Sequence, residues 1–315
     1  MNFWQKLSKP FLVLAPMADV TDFVFREIVS ETNKPDVLFT EFTSADGLMF
    51  KGRNKVIKNL LFSEKQRPIV AQIWGILPEN YFKATKLIHK LGFDGIDINM
   101  GCSDKGVIKK NAGAGIIKDF NLAKDIIDAV KQASDKMAIS VKTRLGFDKI
   151  ITSEWISFLL EQKIDAITVH GRIATEMSKN KANWNEIKKS VKIRNKIAPN
   201  TVVIGNGDIK SYKQAIEYSK KYKVDGVMIG RGIFSNPWIF EKEETNYERQ
   251  KYINLLLKHT RLYIETWGNT KNFNVLKKFY KMYVREFDGA DLLRQKLMDC
   301  NNEKEVIKIV NQFNL

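Results

Sequence analysis

Gly95-Ile96-Asp97-Ile98-Asn99-Met100-Gly101-Cys102-Ser103-Asp104-Lys105-Gly106 is the stretch whose reading decides the fold. Its first half is a short apolar run carrying Ile96 and Ile98 between glycines, the pattern of a buried strand. The run ends at Asn99, Gly101 and Cys102 and passes into a polar loop that contains glycine. A thiol at the end of a buried strand stands where a reactive group would serve, although a lone cysteine is more often an inert, buried hydrophobe.

Similar apolar runs lie on either side. Phe11–Met17, Val37–Phe42 and Ile69–Gly75 precede the stretch, and Met137–Thr143, Ala166–His170, Val202–Asp208 and Gly226–Gly232 follow it. Helical patterns separate most of them, for example from Pro78 to Lys90 and from Leu122 to Gln132. The runs are rich in Val and Ile and do not alternate with polar residues, as expected of parallel strands covered by helices. Eight such units in about 240 residues predict an α/β fold, a (β/α)8 TIM barrel. An open doubly wound sheet would normally have fewer strands, and no strand–GxGxxG–helix unit opens the chain.

Chemistry in such barrels sits at the C-terminal ends of the strands. Here those ends read Pro16-Met17, Gln72, Asn99 with Cys102, Lys142 with Arg144, His170 with Arg172, Asn206-Gly207-Asp208 and Gly230-Arg231. Any one of these has a bland reading as a loop lysine or a satisfied histidine. Polar and ionisable residues at seven strand ends in phase point to a site. The glycine turns after the last two strands would let backbone N–H groups approach an anion, where barrels often hold a ligand phosphate. The segment Phe234–Phe240 is expected to supply a short extra helix there. Read singly, each turn is only a tight turn that needs glycine.

The chain has 315 residues, with 44% hydrophobic and 28% charged. No apolar run is long enough for a membrane helix, and the N-terminus lacks a signal-peptide pattern, so a cytoplasmic protein is expected. Two distant cysteines and three dispersed histidines suggest neither a disulfide framework nor a metal site. The net charge is +16, from 52 Lys and Arg against 36 Asp and Glu, which favours a polyanionic partner unless it reflects a general richness in lysine.

After Glu241–Asn246, read as a polar linker, the pattern is helical only. Residues 1–240 are therefore expected to form the barrel and residues 241–315 a small helical bundle. Helices are predicted over Tyr252–Trp267 and Phe273–Phe287, with two shorter ones near Leu292 and Val306. On the second, Lys277, Lys281 and Arg285 recur every four residues beside Tyr280, Tyr283 and Phe287. That stripe suits a phosphate backbone, or is simply a solvated face beside a core stripe.

The ordered set of motifs resembles the tRNA-dihydrouridine synthases. It comprises Leu14-Ala15-Pro16-Met17-Ala18-Asp19-Val20-Thr21-Asp22, Ile98-Asn99-Met100-Gly101-Cys102, Lys109–Gly115, Val141-Lys142-Thr143-Arg144, Val169-His170-Gly171-Arg172, Gly205-Asn206-Gly207-Asp208 and Gly230-Arg231-Gly232. The likeness runs from about Leu12 to Ile239, and the helical tail is similar to that family's tRNA-binding domain. The resemblance implies an FMN-bound barrel that reduces uridine in tRNA, with NADPH, or NADH, as electron source. Carried over, Pro16, Met17 and Ala18 would line the flavin and Gln72 would bond its edge. Lys142 and His170 would hold its ring, and Asn206, Gly207, Asp208, Gly230 and Arg231 its phosphate. Asn99, Arg144 and Arg172 would face substrate in the cleft, and Lys277, Lys281 and Arg285 would meet tRNA. Cys102 would be the general acid, giving C5 of the uracil a proton after hydride reaches C6 from flavin N5; a thiol near its reference pKa of about 8.5 is protonated for that task. A monomer is expected. Two positions depart from the family pattern: Ser103 stands where proline usually follows the cysteine, and Asp19 where glycine is common. An FMN barrel acting on a small molecule, of the dihydroorotate dehydrogenase kind, and a non-catalytic RNA-binding barrel are the alternatives; the basic tail speaks against the first, and the set Cys102, Lys142 and His170 against the second.

Overall fold

The computed structural model describes residues 2–50, 52–243 and 245–313. Its strands are β1 (Phe11–Leu14), β2 (Leu38–Phe39), β3 (Thr43–Ser44), β4 (Ile69–Trp74), β5 (Gly95–Met100), β6 (Ala138–Arg144), β7 (Ala166–His170), β8 (Val202–Asn206) and β9 (Gly226–Ile229). All pair in parallel, in the order β1-β9-β8-β7-β6-β5-β4-β2, with β3 also on β4. A parallel bridge between Val13 and Val37 brings β1 back to the β2 side, so the sheet is a nearly closed (β/α)8 barrel.

The expected second strand, Val37–Phe42, is split into β2 and β3. Thr40 is the reason: its hydroxyl accepts the Gln72 N–H at 3.1 Å, so a side chain takes over a ladder contact between the two segments. The first strand stops at Leu14, before Pro16, which has no N–H to give a ladder.

Side chains alternate across each strand, and the two faces have separate cores. Outward residues such as Leu12, Ile73, Ile98, Val141, Val169 and Ile229 pack under the helices. Inward residues Phe11, Val13, Phe39, Val70, Ala138, Ala166, Val202, Ile204 and Met228 fill the lower lumen. Trp4, from the short helix Phe3–Lys6, seals it from below, with its ring centroid 5.9 Å from Phe11 and 6.2 Å from Phe39. Higher on the same inward faces stand Gln72, Asp97, Asn99, Ser140, Lys142, Arg144 and His170. Period-two geometry thus turns an apolar plug into a polar floor within a few residues.

Beyond the barrel run the helices Arg249–Trp267, Ala290–Asp299 and Glu303–Gln312. Within the expected linker, Glu241 accepts from the Tyr247 hydroxyl at 2.6 Å, while Glu244 lies outside the described residues. The hydrophobic core continues from the barrel helices into the tail, where Phe25 stacks on Phe279 with centroids 4.9 Å apart.

The helix expected over Phe273–Phe287 is instead a 3-10 stretch, Phe273–Phe279, followed by one α turn, Tyr280–Tyr283, and an extended Val284. Leu276, Phe279, Tyr280, Met282, Tyr283 and Val284 are all buried, so the segment is packed on more than one side and no single polar face survives. Lys277, Lys281 and Arg285 therefore do not form the regular stripe expected of them. The extra helix expected at Phe234–Phe240 is likewise a 3-10 turn at Arg231–Phe234. The Asn236 side chain accepts the Trp238 N–H at 2.9 Å, and Pro237 disfavours helix at the residue before it, so turns follow.

Candidate active site

A cleft of about 700 Å3 opens over the C-terminal ends of the strands. Pro16, Met17, Gln72, Asn99, Cys102, Lys142, Arg144, His170, Arg172, Asn206, Gly207, Asp208, Gly230 and Arg231 all line it. The sequence-derived rim is therefore one surface, although Ala18 is not part of its lining.

A buried relay of side chains supports one flank. Asp97 accepts from Ser140 Oγ at 2.6 Å and from Gln72 Nε2 at 2.7 Å. Gln72 Oε1 then accepts from Asn99 Nδ2 at 2.9 Å, and Asn99 Oδ1 accepts the N–H groups of Gly101 at 3.1 Å and Cys102 at 2.9 Å. A single carboxylate thus fixes the direction of two amides and, through them, the start of the cysteine loop. Burial pushes Asp97 up to about 6, against its hydrogen bonds to Ser140 and Gln72.

Arg144 closes the loop from the other side. Its guanidinium donates to the carbonyls of Gly101 (2.7 Å), Ile173 (3.1 Å) and Met177 (2.8 Å) and to Ser103 Oγ (3.1 Å). Ser103, the residue in the usual place of proline, thus gives the loop a side-chain anchor that proline lacks. Gly113, at φ +58°, presses on the same loop; a Cβ there would come within 2.9 Å of the Cys102 carbonyl. Burial pushes the Cys102 thiol up, opposed by the Asp104 backbone N–H, so the sulfur carries its proton at neutral pH.

The opposite flank is cationic. Lys142, Arg144, Arg172, Lys210 and Arg231 face the cleft against Asp104 and Asp208, a clear bias towards an anion. Lys142 Nζ donates to Asn206 Oδ1 at 3.2 Å; burial, aided by Arg144, lowers it to about 8. Arg172, only 3% exposed, donates from Nη2 to both oxygens of Asp208 at 2.6 Å. Burial works to raise Asp208, but the Arg172 hydrogen bonds, the Ala182 N–H and the charges of Arg172 and Arg231 together outweigh it and hold the carboxyl below its ordinary value. Arg172 Nη1 also lies 3.0 Å from His170 Nε2. Arginine can only donate, so His170 is neutral with its proton on Nδ1. Burial and the surrounding cations keep it so, well below the usual histidine value. Gly207, at φ +135°, leaves no room for a side chain, since a Cβ would sit 2.5 Å from Ala182 Cβ. Arg231, 64% exposed and 3.7 Å from Asp208 Oδ1, is open to a ligand. Glycine turns, an open arginine and a net positive lining suit a phosphorylated cofactor, and the residues present fit FMN. Among the described residues, no His, Cys, Asp and Glu cluster has metal-binding geometry, and no helix is long and apolar enough to cross a membrane.

A family model described as dihydrouridine synthase matches residues 13–314. The chain belongs to the dihydrouridine synthase family. It is an oxidoreductase of that family. It is 42% identical to a probable tRNA-dihydrouridine synthase of Staphylococcus aureus (strain COL), covering 99% of this chain and 95% of that protein. It is 41% identical to probable tRNA-dihydrouridine synthase 2 of Bacillus subtilis (strain 168), covering 99% and 96%. Among solved structures, morphinone reductase in complex with tetrahydroNAD matches with a TM-score of 0.53 at 11% identity, over 91% of this chain and 96% of that one. The old yellow enzyme homologue of Zymomonas mobilis matches with 0.52 at 14%, over 75% and 89%. At these identities the two structures speak for the barrel fold alone.

Several residues of this family member's site were not singled out from sequence. Asp97 and Ser140 lie two residues before Asn99 and Lys142, so strand alternation would have placed them on the same inward face. Glu41 and Lys271, which lie outside the cleft lining, had no such signal. Asp19 adopts φ +54°, the region that favours glycine, which accounts for the usual residue there. Of the three tail cations, Lys277 donates to the Met298 carbonyl at 2.7 Å within the tail. Lys281 and Arg285 line a recess of about 580 Å3 with Phe234, Ser235 and Lys278, and Ser235 also lines the main cleft.

Proposed function

We propose that this protein is a tRNA-dihydrouridine synthase that reduces the C5–C6 double bond of uridine in tRNA. The observation that carries this is a family member's cleft in which a protonated thiol faces a cation-rich cradle bounded by glycine turns. The names of its relatives support tRNA as substrate. FMN in the cleft would supply hydride to uracil C6, with NADPH as electron source.

The chain's own residues would then act as follows. Pro16 and Met17 would border the ring, with Ala18 behind them in the same turn, and Gln72 would offer it the second N–H of an amide already fixed by Asp97. Arg231 with the turns Asn206–Asp208 and Gly230–Gly232 holds the phosphate. Asp208 already accepts from Arg172 Nη2 through both oxygens, so its part there is to position that arginine. Lys142 presents a positive charge, and His170 an Nδ1–H, towards the ring. Asn99 keeps one N–H, and Arg144 one, for the uracil oxygens, where charge builds as hydride arrives. Cys102 delivers a proton to C5, and the resulting thiolate lies near Arg144 and Lys142. The uridine must leave its stack to reach this depth. We assign tRNA binding to residues 241–315, with Lys281 and Arg285 beside the cleft and Lys277 further out, and FMN binding to residues 1–240. The protein would act in the cytoplasm.

The test follows NADPH oxidation and dihydrouridine formation with and without unmodified tRNA. Turnover that depends on tRNA is expected, and Cys102→Ala should keep its flavin while losing roughly 100- to 10,000-fold in tRNA reduction. Equal NADPH turnover without tRNA, and no dihydrouridine, would overturn the reading; an undiminished Cys102→Ala would remove the thiol from it.

A further inference from the structure

The turn Pro16–Thr21 beside the proposed flavin site is held from the helical tail. Within the turn, the Met17 N–H donates to Thr21 Oγ1 at 2.9 Å, and the Val20 and Thr21 N–H groups donate to the Met17 carbonyl at 3.1 and 3.0 Å. Its exposed bend is Asp19. The Asp19 N–H donates to Glu41 Oε1 at 2.5 Å, and its carbonyl accepts from Lys278 Nζ at 2.9 Å.

Glu41 is itself tied to the tail. Lys271 Nζ lies 3.4 Å from Glu41 Oε2 and 3.1 Å from Asp22 Oδ2. Trp267 Nε1 donates to the same Asp22 oxygen at 2.8 Å, while the other oxygen of Asp22 caps the helix Phe23–Asn33 by accepting the Phe25 N–H at 2.9 Å. Asp22 and Glu41 are both buried. Arg26 is a second cation nearby, but its donors go to Gln66 and to the carbonyls of Thr21 and Leu61. Lys271 is thus the ammonium that faces both carboxylates. Without it, two buried carboxylates confront each other, and one must take a proton or move. A move of Glu41 withdraws the acceptor that holds Asp19 in its left-handed bend, and protonation of Glu41 leaves only a neutral, weaker one.

We propose that Lys271 and Glu41 are positioning residues through which the seating of the helical tail sets the shape of the Pro16–Thr21 turn, and with it the affinity for FMN. The proposal rests on the FMN reading above. Its consequence is that flavin affinity depends on a residue of the tail that does not line the cleft.

The experiment is titration of the apoprotein with FMN, followed by quenching of flavin fluorescence, with Tm measured on each variant. Lys271→Met is expected to raise the Kd for FMN about tenfold, and Lys271→Arg to restore it to within about threefold. Lys258→Ala removes a different tie between tail and barrel, the ion pair with Glu31, and is expected to lower Tm without changing the Kd. Should Lys271→Met fail to fold, Glu41→Gln serves instead; it keeps an acceptor for Asp19 but drops the charge, and about a threefold loss is expected. A Kd within about twofold of the parent for both Lys271→Met and Glu41→Gln overturns the proposal, as does an equal loss in Lys258→Ala. A parent apoprotein that binds no FMN would instead overturn the flavin reading, and the proposal with it.

Discussion

The lower and upper halves of the barrel lumen are built by the same strands under the same alternation, yet one is a plug and the other a reaction floor. Below, Phe11, Val13, Phe39, Val70, Val202, Ile204 and Met228 close around Trp4, and stability comes from removing apolar surface from water. Above, Asp97, Gln72, Asn99 and Arg144 are nearly as buried, and Lys142 is partly so, but each is committed to a partner. Buried polar groups are tolerated only when paired. The contrast shows how the site is afforded: the plug gives rigidity that needs no direction, while the upper layer spends its hydrogen bonds on fixing direction.

Three measurements bear on that contrast. Trp4→Ala empties the plug and should cost about 3–5 kcal/mol in urea unfolding, with FMN affinity unchanged at low temperature; an equal loss of flavin affinity would show that the halves are not separable. Arg144→Lys keeps the charge but loses the fork that ties Gly101, Ser103, Ile173 and Met177 together. A drop of about 100-fold in tRNA reduction with flavin content retained is expected, because the thiol is then poorly aimed. The smallest effect concerns pH. Lys142 is cationic below about 8 and neutral above it, so its charge is present at pH 7 and lost as pH rises through that value. tRNA reduction should decline above pH 8 by no more than about tenfold per pH unit from this group, and Lys142→Met should lack that limb; an unchanged limb would assign it to another group.

The fold was legible because buried parallel strands announce themselves as short Val- and Ile-rich runs, and seven polar strand ends in phase marked the rim. What sequence could not give was contact between distant residues. The hydroxyl of Thr40 splits a strand only because Gln72 lies beside it. The fourfold spacing of Lys277, Lys281 and Arg285 suggested a helix, but the burial of Tyr280, Met282 and Tyr283 together overrode that period. Arg172, expected to face substrate, also has Asp208 and His170 on its donors, contacts that strand spacing does not announce. Ser103 and Asp19, the two departures from the family pattern, turn out to have partners, Arg144 for one and Glu41 with Lys278 for the other.

The short helix bearing Trp4 also fixes how the molecule can be handled. Asn2 Nδ2 donates to Asp165 Oδ1 at 2.6 Å, at the N-terminal end of β7, so the first turn is fastened beneath the barrel, opposite the cleft. A surface or label attached through this end leaves the mouth of the barrel and the recess beside it facing solution, where a molecule as large as tRNA can approach without obstruction.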